Sequence, residues 1–182
     1  MKIAKTVAFT GHRPSGLPFG ENEFSPTCSK LHAMLLAEIS DRISQGYDTF
    51  YCGAAMGSDI IFGRLVQMIR SVHHPEIRLV CVIPYEGQAD NWSEAWRIRY
   101  SKLIEQADET ILLSGQYTKD CYQARNRYMV DHAQALLAVY NGAETGGTAY
   151  TVTYARQRAK EIILINPSTM ERSFIPPRLQ AL

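Results

Sequence analysis

A chain of 182 residues, 46% hydrophobic and 20% charged, is long enough for one domain with a sizeable core. Its net charge of +1 gives no global attraction to nucleic acid or to an anionic membrane. Four dispersed cysteines with no Cys-x-x-Cys pair, and five histidines with none at metal-ligand spacing, argue against a disulfide framework and against zinc, so no metal site is expected.

The start, MKIAKTVAFTGHRP, is broken by Gly and Pro too early for a signal peptide, and no apolar run approaches the roughly 18 residues of a membrane span. A cytoplasmic protein is expected. Taken in chain order, β-rich runs fall at Thr6–Thr10, Thr49–Cys52, Ile77–Ile83, Thr110–Leu113, Leu136–Tyr140 and Ile162–Ile165. Helices lie between them. The first is expected over Pro26–Gln45, with Ser25 as N-cap, Pro26 at the first helical position and Gly46 as the stop. Its Leu35, Leu36, Ile39 and Ile43 form one apolar stripe. The second begins near Ser58, and the others span about Trp92–Ala107, Asp120–Ala133 and Thr148–Lys160.

Strands alternating with helices through short loops give an α/β, Rossmann-like three-layer fold: a mostly parallel six-stranded sheet with helices on both faces. Continuous apolar strands such as LVCVI and LLAVY are what burial on both faces demands. No linker divides the chain, so residues 1–182 read as one domain, with 166–182 an irregular, proline-rich tail. In such a sheet ligands bind beyond the carboxyl ends of the strands, so the informative residues are those that follow each strand.

After the first strand, TGHRPSG places Thr10, Gly11, His12 and Arg13 where a phosphate or base would sit; a polar surface turn is the plainer alternative. After the second, CGAAMGSD sets Gly53 and Gly57 around Ala54 and Met56, with Ser58 and Asp59 at a helix mouth. Bare backbone beside a helix N-terminus suits a phosphate. Neither a Walker A loop nor Gly-x-Gly-x-x-Gly is present. Asp59 either complements the helix dipole or holds ribose hydroxyls. After the third strand, Gln88 and Asn91 are polar contacts in waiting, and Tyr85 or Trp92 would stack on a base or simply pack. The fourth loop leads to QARNRYMVDHA, where Arg125 and Arg127 flank Asn126. Asp131 and His132 are adjacent and point about 100° apart on a helix, a poor acid–base pair. After the fifth strand, Gly146-Gly147-Thr148 forms a second glycine-rich cradle at a helix start.

Together TGHRP, CGAAMGSD, ARNRYMVDHA and YNGAETGGTAYTVTYA resemble the SLOG superfamily, which includes DprA/Smf and the LOG phosphoribohydrolases, and within it the small YpsA-like branch. The resemblance runs in order over nearly the whole chain. It implies a Rossmann-like fold, a nucleotide or nucleotide-derived ligand, and a site including Gly53, Gly57, Asp59, Arg125, Asn126, Gly146, Gly147 and Thr148. It also implies links to stress response and cell division, and homodimerisation, but no settled reaction. LOG enzymes carry Pro-Gly-Gly-x-Gly-Thr-x-x-Glu; aligned on Gly147-Thr148, the glutamate falls on Thr151, and Ala143-Glu144-Thr145 stands where Pro-Gly-Gly would be. The resemblance therefore does not carry phosphoribohydrolase chemistry with it.

The leading expectation is a nucleotide-binding sensor or regulator that requires no cofactor. The alternative is a hydrolase of an N-glycosidic or phosphate bond, with Asp59, Asp131 or Glu144 as the carboxylate and His12 as the acid. Single-stranded nucleic-acid binding through Arg97, Arg99, Lys102, Arg125 and Arg127 is a third reading, disfavoured by the near-neutral balance.

Overall fold

The computed structural model describes residues 4–177. Among them are strands β1 (Thr6–Gly11), β2 (Thr49–Cys52), β3 (Arg78–Ile83), β4 (Glu109–Leu112), β5 (Ala135–Val139), β6 (Glu161–Ile165) and β7 (Arg172–Ile175). The helices are α1 (Pro26–Ser44), α2 (Ser58–Val72), α3 (Glu94–Glu105), α4 (Cys121–Asp131) and α5 (Gly147–Gln157). A single 3-10 turn at Pro14–Gly16 follows β1.

One sheet runs in the order β4-β3-β2-β1-β5-β6-β7, parallel throughout except for the antiparallel β6–β7 pair. β1 lies at the centre, with Val7 opposite Phe50 of β2 on one side and Ala135 of β5 on the other. The chain winds outward from β1 to β4, then returns through α4 to place β5 on the free side of β1. The strand order therefore reverses between β1 and β5, which opens a crevice at their carboxyl ends.

The fold is three-layered. Helices α1, α2 and α3 pack on one face, where Leu35, Phe62 and Leu103 join Phe9 and Phe50 in the larger core. Helices α4 and α5 cover the other, where Met129 and Val152 meet Ala8, Val80 and Ile162. Strand β5 (ALLAV) is buried along its whole length, as a central parallel strand must be. Helix α1 begins as its sequence dictates: the Ser25 hydroxyl accepts the Cys28 N–H at 3.1 Å and Pro26 occupies the first turn.

The sheet has seven strands where six are expected. Residues 172–175 of the expected irregular tail pair with β6, Arg172 opposite Ile165 and Ile175 opposite Ile162. Asn166 makes the reversal, its side-chain carbonyl accepting the Ser168 N–H at 2.9 Å and its backbone carbonyl the Met170 N–H at 2.8 Å. Arg172 then ion-pairs with Glu38 of α1, tying the added strand to the body. Residues 178–182 of the tail lie outside the described residues.

Candidate functional site

A cavity of about 360 Å³ opens at the switch point between β1 and β5. Its lining comes from four places. The end of β1 and the turn after it give Thr10, Gly11, His12, Arg13, Ser15 and Gly16. The segment entering α2 gives Ala55 and Asp59, the first turns of α4 give Tyr122, Arg125 and Asn126, and the mouth of α5 gives Thr145, Gly146, Gly147 and Thr148. Four segments far apart in sequence converge because each follows the end of a strand or opens the next helix.

The mouth of α5 is open. Gly146 caps the helix with φ +105°, no side chain closes the N-terminus, and the space over Gly146 and Gly147 is empty to 4 Å. The first N–H groups of the helix, with the Thr148 side chain, therefore face the cavity, an arrangement that attracts anions. The mouth of α2 differs. There the Ser58 N–H and hydroxyl both donate to the His12 carbonyl, at 3.1 and 2.9 Å. A protein carbonyl takes up both of these donors.

The paired glycines of CGAAMG consequently serve the protein's own groups. Gly57 adopts φ +88°, and a Cβ there would meet the His12 carbonyl oxygen at 2.8 Å. A Cβ on Gly53 would lie 1.8 Å from the Arg125 guanidinium and 2.8 Å from the Asp59 carboxylate. Bare backbone at these positions admits the loop after β1 and a buried arginine. Gly53, Ala54, Met56, Gly57 and Ser58 are not among the lining residues, and Gly53, Gly57 and Ser58 meet the protein's own groups. Gln88 supports from behind as well, its amide donating to the Gly53 and Ala54 carbonyls, both at 3.3 Å.

Arg125 is the hub beneath the cavity. It is buried, donates through Nη1 to the Gly53 carbonyl and through Nε to Asn126 Oδ1 at 2.7 Å. Asn126 in turn donates to the Thr151 hydroxyl at 2.8 Å, and that hydroxyl donates to the Gly147 carbonyl at 2.7 Å. A continuous hydrogen-bonded chain thereby joins the loop after β2 to the first turn of α5.

Asp59, also buried, accepts the Ala55 N–H at 3.4 Å. Burial pushes its carboxyl up to about 6, against the opposing pull of the Arg125 charge. His12 is half-buried, which lowers its pKa; its Nε2 accepts the Asn141 N–H at 3.1 Å, so the neutral ring carries its proton on Nδ1.

The other two carboxylates considered for chemistry lie elsewhere. Asp131 closes the far end of α4, where it accepts from the Tyr154 hydroxyl at 3.0 Å and pairs with Arg158 at 2.9 Å. Its neighbour His132 stacks on Tyr128 and contacts that residue's carbonyl, so the two form no acid–base pair. Glu144 is exposed and is not among the lining residues. The basic residues considered for nucleic acid also divide: Arg97, Arg99 and Lys102 are on α3, on the opposite face of the sheet from Arg127, and Arg125 is buried. Ser15, Gly16, Ala55, Tyr122 and Thr145 line the cavity in addition to the residues expected there. Tyr122 had a signal, since it precedes Arg125 by one helical turn.

Comparison with known proteins identifies the family. Residues 7–170 match the family model YpsA, described as the YspA SLOG family. The chain belongs to the YspA SLOG family. Among its relatives is the uncharacterized SPbeta prophage-derived protein YoqJ of Bacillus subtilis (strain 168), 30% identical over 146 residues, which cover 73% of this chain and 84% of that protein. A UPF0398 protein of Bacillus cereus (strain B4264) is 26% identical over 161 residues, covering 86% of this chain and 85% of its own. Another, from Bacillus cereus (strain G9842), is 24% identical over 158 residues, with 86% and 85% covered. In this SLOG chain, as described, no helix is long and apolar enough to cross a membrane. All four cysteines are buried and free.

Proposed function

We propose that this protein is a cytoplasmic sensor or regulator that holds a nucleotide or nucleotide-derived ligand in the cavity between β1 and β5. The observation that carries the reading is the uncapped N-terminus of α5, whose Gly146, Gly147 and Thr148 line the same cavity as Arg13. Backbone N–H groups and a helix dipole bind the phosphate, and the exposed Arg13 guanidinium adds charge from across the loop. Membership of a SLOG family supports a nucleotide-related role. The test is a thermal-shift screen against AMP, ADP, ATP, NAD, ADP-ribose and cyclic dinucleotides. A ligand at a hundred times its Kd stabilises by about 2.7 kcal/mol. That corresponds to a rise of about 5–10 °C for a chain of this size. A flat panel, repeated with inorganic phosphate, counts against the reading.

One observation favours a second reading. Asp59 combines burial, a raised pKa and a place in the cavity wall, which suits a general acid in hydrolysis of an N-glycosidic or phosphate bond. Release of free base or phosphate, abolished in Asp59→Asn, would establish hydrolysis; binding without release leaves the sensor.

A further inference from the structure

We propose that the cavity takes the aromatic base of its ligand against the ring of Tyr122, so that its occupant is a single nucleoside phosphate; this rests on the nucleotide-binding reading above. The phosphate-directed groups all belong to α5 and the loop after β1, whereas Tyr122 enters from α4 and is the one carbocyclic aromatic ring among the lining residues. Its ring is held in place from outside the cavity. Tyr85 meets it edge-on, with centroids 6.0 Å apart and planes at 84°, and the two hydroxyls lie 3.4 Å apart. Tyr85 is itself met edge-on by Tyr117 at 5.3 Å. The three tyrosines orient one another as edge-to-face pairs do.

Simple core packing does not account for the cluster. Tyr117 is 61% exposed, and Tyr85 and Tyr122 are only partly buried, so the three rings shield one another weakly from water. What their arrangement provides is an aromatic ring held at the cavity wall. The Arg13 guanidinium sits 5.6 Å from the centre of that ring, near the outer limit for a cation over a ring, and makes no hydrogen bond or ion pair among the described residues. An arginine so loosely held is free to cover a stacked base or to turn toward the phosphate. Stacking on tyrosine accepts any base. Discrimination between bases then falls to the polar groups that share the wall, Ser15 and the Nδ1–H of His12. A volume of about 360 Å³ lies near the lower end of small-molecule sites, roughly 300–1,000 Å³, and suits one nucleoside unit rather than two.

The experiment compares AMP, GMP, CMP and UMP with ribose 5-phosphate and inorganic phosphate, by calorimetry, on the wild-type protein, Tyr122→Ala and Tyr122→Phe. At least one nucleotide should bind the wild type more tightly than ribose 5-phosphate. Tyr122→Ala should weaken that nucleotide by roughly 5- to 150-fold, the worth of one base–aromatic stack. Ribose 5-phosphate and phosphate should be unaffected, and Tyr122→Phe should stay close to wild type. If all probes weaken together, Tyr122 shapes the cavity and seats no base. If no nucleotide exceeds ribose 5-phosphate, the base proposal fails while the phosphate site stands. If nothing binds, the nucleotide reading falls and this proposal with it. Should Tyr122→Ala not fold, contacts between base protons and the Tyr122 ring in NMR of the wild-type complex decide the matter, and their absence overturns the proposal.

Discussion

The side-chain amide of Asn126 donates to the hydroxyl of Thr151 at 2.8 Å, and that hydroxyl donates in turn to the Gly147 carbonyl at 2.7 Å. Both side chains are buried, and the pair fixes the first turn of α5 relative to α4. The position at which LOG enzymes carry glutamate is therefore occupied in this chain by a structural hydroxyl whose donor and acceptor capacities are both used. Thr151→Val keeps the shape but strands the buried Asn126 amide, at a cost of about 1–3 kcal/mol. Thr151→Ser restores the hydroxyl and should recover most of that loss. Urea unfolding of the two variants checks the prediction; equal stability of Val and wild type would mean the chain of bonds contributes nothing.

Gly53 and Arg125 form the tightest pairing beneath the cavity. A methyl group on Gly53 would overlap the guanidinium at 1.8 Å, so Gly53→Ala must displace Arg125 from the Gly53 carbonyl. Overpacking of this kind costs about 1–3 kcal/mol. Because the damage acts through Arg125, the double variant Gly53→Ala/Arg125→Ala should be less destabilised than the sum of the singles by about 1 kcal/mol or more. Additive effects in the denaturation cycle would show that the two residues do not meet.

Asp131 offers a contrast with Asp59. Its carboxylate is bound to Tyr154 and Arg158 at the end of α4 that faces away from the cavity. Exposed pairs of this kind contribute up to about 1 kcal/mol. Asp131→Asn should therefore shift stability by no more than that and leave nucleotide affinity unchanged in calorimetry. A tenfold loss of affinity would show that Asp131 acts on the ligand.

Most of the fold was legible because its signals are local. Ser25-Pro26 starts α1, and unbroken apolar runs mark strands buried on both faces. Strand β7 was not, since RSFI is an exposed edge segment without an apolar run; it is held by the Asn166 turn and by Arg172 pairing with Glu38, 134 residues away. The site divides in the same way. Gly146-Gly147-Thr148 lies at an open helix mouth, where its sequence puts it, because nothing distant intrudes on it. Gly53 and Gly57 announce a close approach but not by what, and the groups that approach are Arg125, 72 residues on, and the carbonyl of His12. A requirement for bare backbone is written locally, whereas the identity of the neighbour depends on the topology of the sheet.

Asp59 gives the pH dependence of stability a definite sign. Its folded-state pKa, about 6, lies above the value near 3.9 expected in the unfolded chain, so the folded state binds the extra proton between these limits. The resulting stabilisation is fully present below about pH 4 and is lost as pH rises through 6. Between pH 7.5 and pH 5 the wild-type protein should gain roughly 1–1.5 kcal/mol from this group. His12, whose pKa is lowered by burial, acts in the opposite sense, because its folded state resists the proton that the unfolded chain takes up. The contribution of Asp59 is thus read as a difference between wild type and Asp59→Asn, in which the histidine background cancels. Asp59→Asn should lose the gain on acidification, whatever its absolute stability, since removing the carboxylate also leaves the Arg125 charge less compensated. Parallel stability–pH curves for the two proteins would show that Asp59 is ionised throughout this range. That would remove the property that recommends it as a proton donor in the cavity.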